Sequence, residues 1–217
     1  MEFVNDMQSL NRKLLSAYEK HGKKTAFTAG ISGIDAAGKG YTSKKLQESL
    51  EDLGYIVANI NIDPWQNPLP VRLRKDNAAE NIYENIFRWQ QFFDQLIFPS
   101  QKNKSIYLKT EGIRSDADIY YTLVYDYKDI DFLFVEGILL FKKRFLLHYD
   151  FKIWIDCSFE TGLKRAIQRN VENLDEARLI HDYDTYYYAA QQLHFERDDP
   201  QKAADVIFCN DLIMSKA

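Results

Sequence analysis

The sequence predicts an α/β fold, in which helices cover both faces of a mainly parallel sheet of five strands. Short apolar runs alternate along the chain with longer segments whose apolar residues recur every three or four positions. Such runs are typical of strands buried on both faces, and their alternation with helices favours parallel pairing. A glycine-rich segment directly follows the first run, at the edge of the sheet where such folds bind ligands.

Composition is that of one compact domain, because 217 residues with 46% hydrophobic side chains are enough to bury a core. We divide the chain into an N-terminal helix packed on the domain, residues 1–24, and the domain itself, residues 25–217. The formal net charge of -4 lacks the basic excess that nucleic-acid binding needs. We therefore expect no nucleic-acid partner.

The predicted compartment is the cytoplasm. Cys157 and Cys209 are too few for a disulfide framework, and their spacing from the histidines resembles no zinc site. The N-terminus lacks the apolar run of a signal peptide, and no stretch approaches the roughly 20 apolar residues of a membrane span. We expect no membrane partner, and a homo-oligomer stays open.

Helical periodicity and chain-breaking residues delimit the elements of the first half. Gly54 is expected to close one helix, and Pro64 to stop the second strand with a carboxylate at its end. In chain order we predict a helix over Glu2–Tyr18, a strand over Thr25–Ser32, a helix over Lys39–Leu53, a strand over Tyr55–Asp63 and one long helix over Asn77–Phe98.

The second half repeats the pattern of short apolar runs followed by helices. Since the carboxyl ends of parallel strands meet at one edge, we expect the glycine-rich loop, Asp63 and Glu136 to lie together. The predicted elements are strands over Asp131–Ile138, Phe151–Ser158 and Ala204–Cys209, and helices over Phe159–Asn170 and Leu174–Phe195.

The segment from Gly33 to Lys39 matches the G-x-x-x-x-G-K pattern of a phosphate-binding loop, and it lies between a predicted strand and a predicted helix. Inward-pointing N–H groups, a helix N-terminus and the lysine ammonium together favour polyphosphate. The predicted fold is therefore a three-layer α/β/α P-loop NTPase fold. We expect the nucleotide to contact Gly33, Ile34, Asp35, Ala36, Ala37, Gly38, Lys39, Gly40 and Tyr41.

The motif is incomplete where a magnesium ligand is usual. The Ser or Thr expected after Lys39 is Gly40, followed by Tyr41. Thr42 is two residues farther on, a rotation of roughly 200° around a helix, so it does not replace the missing hydroxyl. Mg²⁺ must then depend on water and carboxylates. Two alternatives remain: a glycine-rich turn that binds nothing, and a loop that binds nucleotide without catalysis.

Four sequence blocks resemble the uridine kinase and phosphoribulokinase branch of P-loop kinases. They occur in that family's order and span most of the chain. The blocks are GISGIDAAGKG (Gly30 to Gly40), NIDPW (Asn61 to Trp65), VEGILLF (Val135 to Phe141) and ADVI (Ala204 to Ile207).

This resemblance implies roles for two carboxylates. Asp63 would be the general base for the acceptor hydroxyl, and Glu136 would organise Mg²⁺, with Asp63 beside it. In-line phosphoryl transfer needs a positioned nucleophile, a metal across the phosphates and cations for the developing charge, and Lys39 supplies the last. Alternatively, Asp63 is simply a residue of an Asp-Pro turn.

Arg165 and Arg169 share one face of a predicted helix, four residues apart, and match the family's lid arginines. The resemblance implies that Arg165 binds nucleotide and Arg169 acts in catalysis, whereas the ordinary alternative is a solvated basic face. The cluster at Lys142–Arg144 is interpreted as a solvated loop. The tyrosines near Tyr183 are interpreted as core, with no functional role.

The acceptor side matches the family least, because its nucleoside-recognition segment is not recognisable in residues 69–81. Asp76, Tyr83 and Arg88 lie where an acceptor is expected, and their chemistry suits ribose hydroxyls or a base edge. An ordinary helix surface is the alternative interpretation.

The leading hypothesis is a uridine kinase-like enzyme that uses ATP or GTP with Mg²⁺ to phosphorylate the 5′-hydroxyl of uridine or cytidine. Polyphosphate-dependent nucleotide kinases are a rival, because their loop also carries Asp-Ala-Ala-Gly-Lys-Gly. A non-catalytic nucleotide sensor is a second rival, motivated by Gly40. The expected partners are thus a nucleoside triphosphate and a small-molecule acceptor.

Overall fold

A computed structural model describes residues 2–22, 24–74, 76–114, 119–170 and 174–211. Its centre is a six-stranded parallel sheet with the strand order β1-β8-β7-β2-β6-β3, flanked by helices in three layers. The strands are β1 (Glu2–Val4), β2 (Phe27–Gly33), β3 (Val57–Asn61), β6 (Phe132–Gly137), β7 (Phe151–Asp156) and β8 (Val206–Cys209), with a separate hairpin of β4 (Ile106–Ile113) and β5 (Tyr120–Tyr127).

Ten α-helical segments are found within the described ranges. Most pack against the sheet through the apolar residues that the periodicity identified. None of the helices in these ranges is long and apolar enough to cross a membrane. The helices are α1 (Met7–Lys20), α2 (Lys39–Glu51), α3 (Leu69–Arg72), α4 (Ala78–Asn85), α5 (Trp89–Phe92), α6 (Phe98–Asn103), α7 (Phe159–Arg169), α8 (Glu176–Asp182), α9 (Tyr188–Asp198) and α10 (Pro200–Ala203).

The five predicted strands are confirmed, and a sixth, β1, adds to the edge beyond β8. The predicted helix over Glu2–Tyr18 is therefore wrong at its start, because residues 2–4 pair in parallel with residues 206–208. Asp6 caps α1 by accepting a hydrogen bond of 2.8 Å from the Ser9 N–H, which fixes the beginning of the helix. Leu10, Leu14 and Tyr18 are buried and recur every four residues, so they form the inner face of α1.

The predicted single helix over Asn77–Phe98 is wrong, since the chain leaves helical geometry between α4 and α5. Phe87 forms an isolated antiparallel bridge with Gln66, and the Arg88 N–H donates to the Trp65 carbonyl at 2.8 Å. These bonds use backbone groups that a continuous helix would need internally. Beyond α5 the chain continues through a π-helical turn, Phe93–Ile97, into α6.

The hairpin of β4 and β5 lies in a part of the chain for which we predicted no element. Its inner side chains pack on the main core, and the hydroxyl of Tyr125 accepts a 2.9 Å hydrogen bond from the Trp65 indole N–H. Both segments are rich in residues that favour strands, with Ile, Tyr, Leu and Thr in β4 and Tyr, Thr, Leu and Val in β5, and this is a usable strand signal.

The prediction of a solvated loop is wrong for Lys142, whose side chain is only 2% exposed. Its ammonium lies 3.6 Å from the ring centroid of Tyr83 and 3.5 Å from a carboxylate oxygen of Glu84. Burial lowers the pKa of Lys142 to about 8, although the Glu84 carboxylate partly opposes this effect. The lysine is thus part of the packing between α4 and the loop after β6.

This burial predicts a pH dependence of stability. Below the folded-state pKa of about 8, both states carry the charged lysine and the cost of burying it is complete. As pH rises further, the folded protein releases this proton before the unfolded chain does, so stability is gained. The wild type should therefore gain about 2 kcal/mol of unfolding free energy relative to Lys142→Met between about pH 7 and about pH 9.5.

Denaturant unfolding of both proteins at the two pH values measures this gain. The variant serves as the control for all other groups that titrate in the interval. Parallel stability curves would show that Lys142 keeps its proton throughout, contrary to the expectation.

Candidate active site

The register of three parallel strands brings the predicted site together at one edge of the sheet. Ile31 of β2 and Asn61 of β3 both lie opposite Glu136 of β6. The loop that follows β2 and the turn that follows β3 therefore flank the Glu136 carboxylate. The resulting cavity of about 350 Å³ is lined by Asp35, Ala36, Gly38, Lys39, Gly40, Tyr41, Asn61, Asp63, Glu136, Arg165 and Arg169.

A larger open groove of about 740 Å³ runs along α1 beside β1. It includes neither the loop lysine nor the carboxylates of the strand ends. We therefore assign the candidate active site to the smaller cavity, where the loop and the strand-end carboxylates meet.

The loop between β2 and α2 has the conformation that anion binding needs. Ala36 and Gly38 have positive φ values of 55° and 96°, which turn the backbone around the space in front of α2. A Cβ on Gly33 would lie 2.6 Å from the Ile155 carbonyl oxygen, so only glycine fits there. The Lys39 ammonium is nearly buried and donates to the Ile34 carbonyl at 2.8 Å.

Buried negative charge dominates the floor of the cavity. Glu136 is 7% exposed, and burial raises its pKa to about 7, with Lys39 opposing the shift and Asp63 adding to it. Asp63 retains an exposed surface, yet removal of its carboxyl group from water raises its pKa as well. Its backbone N–H donates to the Asn61 side chain at 2.6 Å, which fixes the turn. Both carboxyl groups are thus poised to accept a cation or a proton.

The two arginines of α7 differ in how they are held. Arg165 donates to the Asn210 carbonyl at 2.7 Å and to the Ala37 carbonyl at 3.3 Å, so it braces the loop. Arg169 is half exposed, and its guanidinium lies 3.9 Å from the Asp35 carboxylate. Both guanidinium groups therefore lie beside the phosphate-binding loop, and their roles in nucleotide binding and catalysis stay predictions.

The residues present fit a magnesium ion bound together with a nucleotide. No group of three or more His, Cys, Asp or Glu side chains in the described ranges is arranged to hold a metal alone. Mg²⁺ in kinase sites typically uses one or two carboxylates together with phosphates and water, and Glu136 and Asp63 supply these. A Cβ on Gly40 would lie 3.7 Å from Glu136 Oε1, so the missing side chain leaves room beside this carboxylate. Thr42 is fully buried and does not line the cavity.

None of the three predicted acceptor residues lines this cavity. Asp76 is exposed and pairs with Arg74 at 3.4 Å. Tyr83 is buried and its hydroxyl donates to Asp198 at 2.7 Å. Arg88 donates to backbone carbonyls of Pro64 and Glu111, so it braces the turn after Asp63 from outside the cavity.

Sequence reasoning missed several side chains that hold the loop. The Gln191 amide oxygen accepts a 2.9 Å bond from the Asp35 N–H, and the Tyr183 hydroxyl donates to the Asp35 carboxylate at 2.9 Å. Asn210 donates its side-chain amide to the Ala37 carbonyl. Of the side chains that hold the site, Asn61 could have been predicted locally, because an Asn two residues before Asp63 can accept from its N–H in an Asx-type turn.

Solved structures share this architecture. A possible uridine kinase from Bacillus stearothermophilus matches with a TM-score of 0.74 and 20% sequence identity, over 93% of this chain and 96% of that chain. A protein described as a fructose transport system kinase from Silicibacter sp. matches with a TM-score of 0.75 and 14% identity, over 94% of this chain and 100% of that chain. The D-glycerate 3-kinase from Cryptococcus neoformans matches with a TM-score of 0.63 and 13% identity, over 92% and 89%.

These likenesses define the chain's class as a three-layer P-loop fold shared with small-molecule kinases. In particular, the predicted resemblance to the uridine kinase and phosphoribulokinase type is confirmed at the level of the fold. No protein-family model matches the sequence, and no curated protein matches it either.

The close packing of α7 on the loop can be tested at Gly162. A Cβ there would lie 2.9 Å from the Tyr188 hydroxyl and 3.0 Å from the Asp35 carbonyl oxygen. We expect Gly162→Ala to push the loop, lowering the free energy of unfolding by about 1–3 kcal/mol and the affinity for ATP by about tenfold. Thermal unfolding and calorimetric titration with ATP measure the two effects.

Lys164→Ala on the same helix is the matched control. Its side chain is exposed and, among the described residues, pairs with Glu160 one turn earlier in the helix, so stability should change by less than about 0.5 kcal/mol. An unchanged ATP affinity in Gly162→Ala would contradict the packing argument.

Proposed function

We propose that the protein is a kinase that moves the γ-phosphoryl group of ATP or GTP to a hydroxyl of a small acceptor, most favourably the 5′-hydroxyl of uridine or cytidine. The observation that carries this proposal is the convergence of Lys39, Asp63 and Glu136 in one cavity beside a phosphate-binding loop. These are the groups that in-line phosphoryl transfer requires. The kinase folds of the structural neighbours support the same reaction class.

In this mechanism the nucleotide phosphates lie against the loop and the start of α2. The first N–H groups of α2 lack acceptors within the helix, and the helix N-terminus favours negative charge. Lys39 would exchange its bond to the Ile34 carbonyl for the β- and γ-phosphates. Arg169, at the cavity rim, would contact the transferring group and stabilise its developing charge.

Asp63 acts as the general base in this proposal. A carboxylate at this position is suited to remove a proton from an acceptor hydroxyl. Glu136 and Asp63 would hold Mg²⁺, which when bound neutralises charge across the β- and γ-phosphates. The Asn61 side chain holds the Asp63 backbone in place for this role.

The choice of a nucleoside acceptor depends on the four sequence blocks and on the fold shared with a possible uridine kinase. The structural neighbours also include a D-glycerate 3-kinase, so sugars and small hydroxy acids are the next acceptors to test. Both cysteines are free thiols, which supports the cytoplasm as the working compartment.

A nucleotide sensor is the second candidate, and one observation favours it. Residue 40 provides no hydroxyl for Mg²⁺, and the nearest following aliphatic hydroxyl in the helix, that of Thr42, is buried. Such a protein would bind nucleotide without acceptor-dependent turnover. A polyphosphate donor is a third candidate, motivated by the Asp-Ala-Ala-Gly-Lys-Gly loop.

The deciding experiment incubates the protein and Mg²⁺ with ATP, GTP or polyphosphate and a panel of nucleosides, sugars and hydroxy acids. Mass spectrometry identifies the phosphorylated product. Uridine or cytidine monophosphate would establish the proposed reaction. ATP binding without any product would favour the sensor.

Two substitutions separate phosphate binding from base catalysis. Lys39→Ala should abolish transfer and weaken ATP binding, because the buried ammonium is lost from the phosphate site. Asp63→Asn should slow kcat by about 10²- to 10⁴-fold, the usual contribution of a general base, and leave ATP affinity nearly unchanged. Steady-state kinetics and calorimetric ATP titration measure both effects.

The control is Asp52→Asn, an exposed change at the end of α2 that should alter neither quantity. Full activity in Asp63→Asn would remove the base assignment. Weak ATP binding in that variant would instead assign Asp63 to the nucleotide site.

A further inference from the structure

The phosphate-binding loop contains a carboxylate, that of Asp35, which has several polar partners. One oxygen of Asp35 accepts a 2.7 Å hydrogen bond from the Ala36 N–H, and the other accepts a 2.9 Å bond from the Tyr183 hydroxyl. The Arg169 guanidinium lies 3.9 Å from the first oxygen. The Asp35 N–H donates to Gln191 of α9.

Two of these partners, the Ala36 N–H and the Arg169 guanidinium, are groups that a bound phosphate would also engage. A backbone N–H and a guanidinium are the donors that phosphate oxygens normally engage. Asp35 Oδ1 lies against both kinds of donor, the Ala36 N–H and the Arg169 guanidinium. A negative charge at this point also opposes an incoming triphosphate, so it reduces nucleotide affinity.

The Tyr183 side chain, whose hydroxyl donates to Asp35, is held in place by the packing of its ring. Its ring is 1% exposed and packs in a small apolar cluster with Ala166 and Leu179. Tyr183 begins the π-helical turn Tyr183–Tyr187, which joins α8 to α9. The position of the Asp35 carboxylate is therefore set by Tyr183 from outside the loop as well as by the Ala36 N–H within it.

We propose that Asp35 is a positioning residue, which holds Arg169 of α7 over the phosphate-binding loop before nucleotide binds, at a cost in nucleotide affinity. Tyr183 orients the carboxylate for this purpose. This inference depends on the proposed kinase function, since Arg169 is placed there at the transferring phosphoryl group.

The proposal predicts changes of opposite sign in binding and rate. Asp35→Asn removes the repelling charge, so the dissociation constant for ATP should fall by about tenfold. The same change releases Arg169, so kcat should fall by at least about tenfold. A substitution that merely damaged the loop would weaken ATP binding instead.

Three further variants separate the effect of the Asp35 charge from the effect of the position of its carboxylate. Asp35→Glu keeps the charge, so its ATP affinity should stay within about twofold of the wild type. Tyr183→Phe also keeps the charge but frees the carboxylate, so only kcat should fall, by about threefold. Tyr186→Phe, in the same π-helical turn, is the matched control and should change neither quantity.

A double-mutant cycle tests whether Asp35 acts through Arg169. In an Arg169→Ala background, Asp35→Asn should cost no further kcat if the two residues form one unit. An equal loss of kcat in both backgrounds would overturn the proposal.

The affinity measurements use ATP without an acceptor, so they do not require turnover. A wild type that binds ATP but phosphorylates no acceptor would refute the proposed function, while the affinity order of the variants would still decide the charge argument. Weaker ATP binding by Asp35→Asn, or an unchanged kcat where transfer is observed, would overturn the positioning role.

Discussion

The parallel register of β2, β6 and β3 is the constraint on which the whole site depends. Glu136 lies beside both Ile31 and Asn61, and the loop and the Asp63 turn begin two residues beyond those partners. A slip of one residue would turn the Glu136 side chain to the other face of the sheet. The glycine at position 33 secures the neighbouring register, since any Cβ there would collide with the Ile155 carbonyl of β7. The same strand register therefore determines both how the central strands pack and where the carboxylates lie.

The charges that line the cavity bear on the proposed binding of a metal–nucleotide complex. Three carboxylates, Asp35, Asp63 and Glu136, face the cations Lys39, Arg165 and Arg169. Arg165 donates to the carbonyls of Ala37 and Asn210, so these two N–H groups are already engaged within the protein. Burial raises the pKa of Glu136 to about 7, and in the proposed complex a divalent cation would offset the electrostatic cost of its buried carboxylate. Because residue 40 has no hydroxyl, metal binding in the proposed complex would depend more on the carboxylates.

Local signals predicted the parts of the molecule that depend on local chemistry. The loop, the strands around Glu136 and the turn at Asp63 each have a short sequence pattern that indicates one kind of structure. The five predicted strands were found for the same reason. Contacts between distant segments determined the rest. The break at Phe87 depends on pairing with Gln66, and the edge strand Glu2–Val4 depends on β8. Nothing in the spacing of the tyrosines shows that Tyr183 reaches a carboxylate 148 residues away.

The Asp63 turn is supported on the side opposite the phosphate loop by a second set of bonds. Trp65 is fully buried and its indole binds the Tyr125 hydroxyl of the hairpin, while Arg88 donates to the carbonyls of both Pro64 and Glu111. The guanidinium of Arg88 also lies 5.3 Å from the Trp65 ring centroid. A turn so connected cannot shift without moving the hairpin. The proposed base is therefore supported by the hairpin and Arg88, as the phosphate-binding loop is supported by α7, α9 and Asn210.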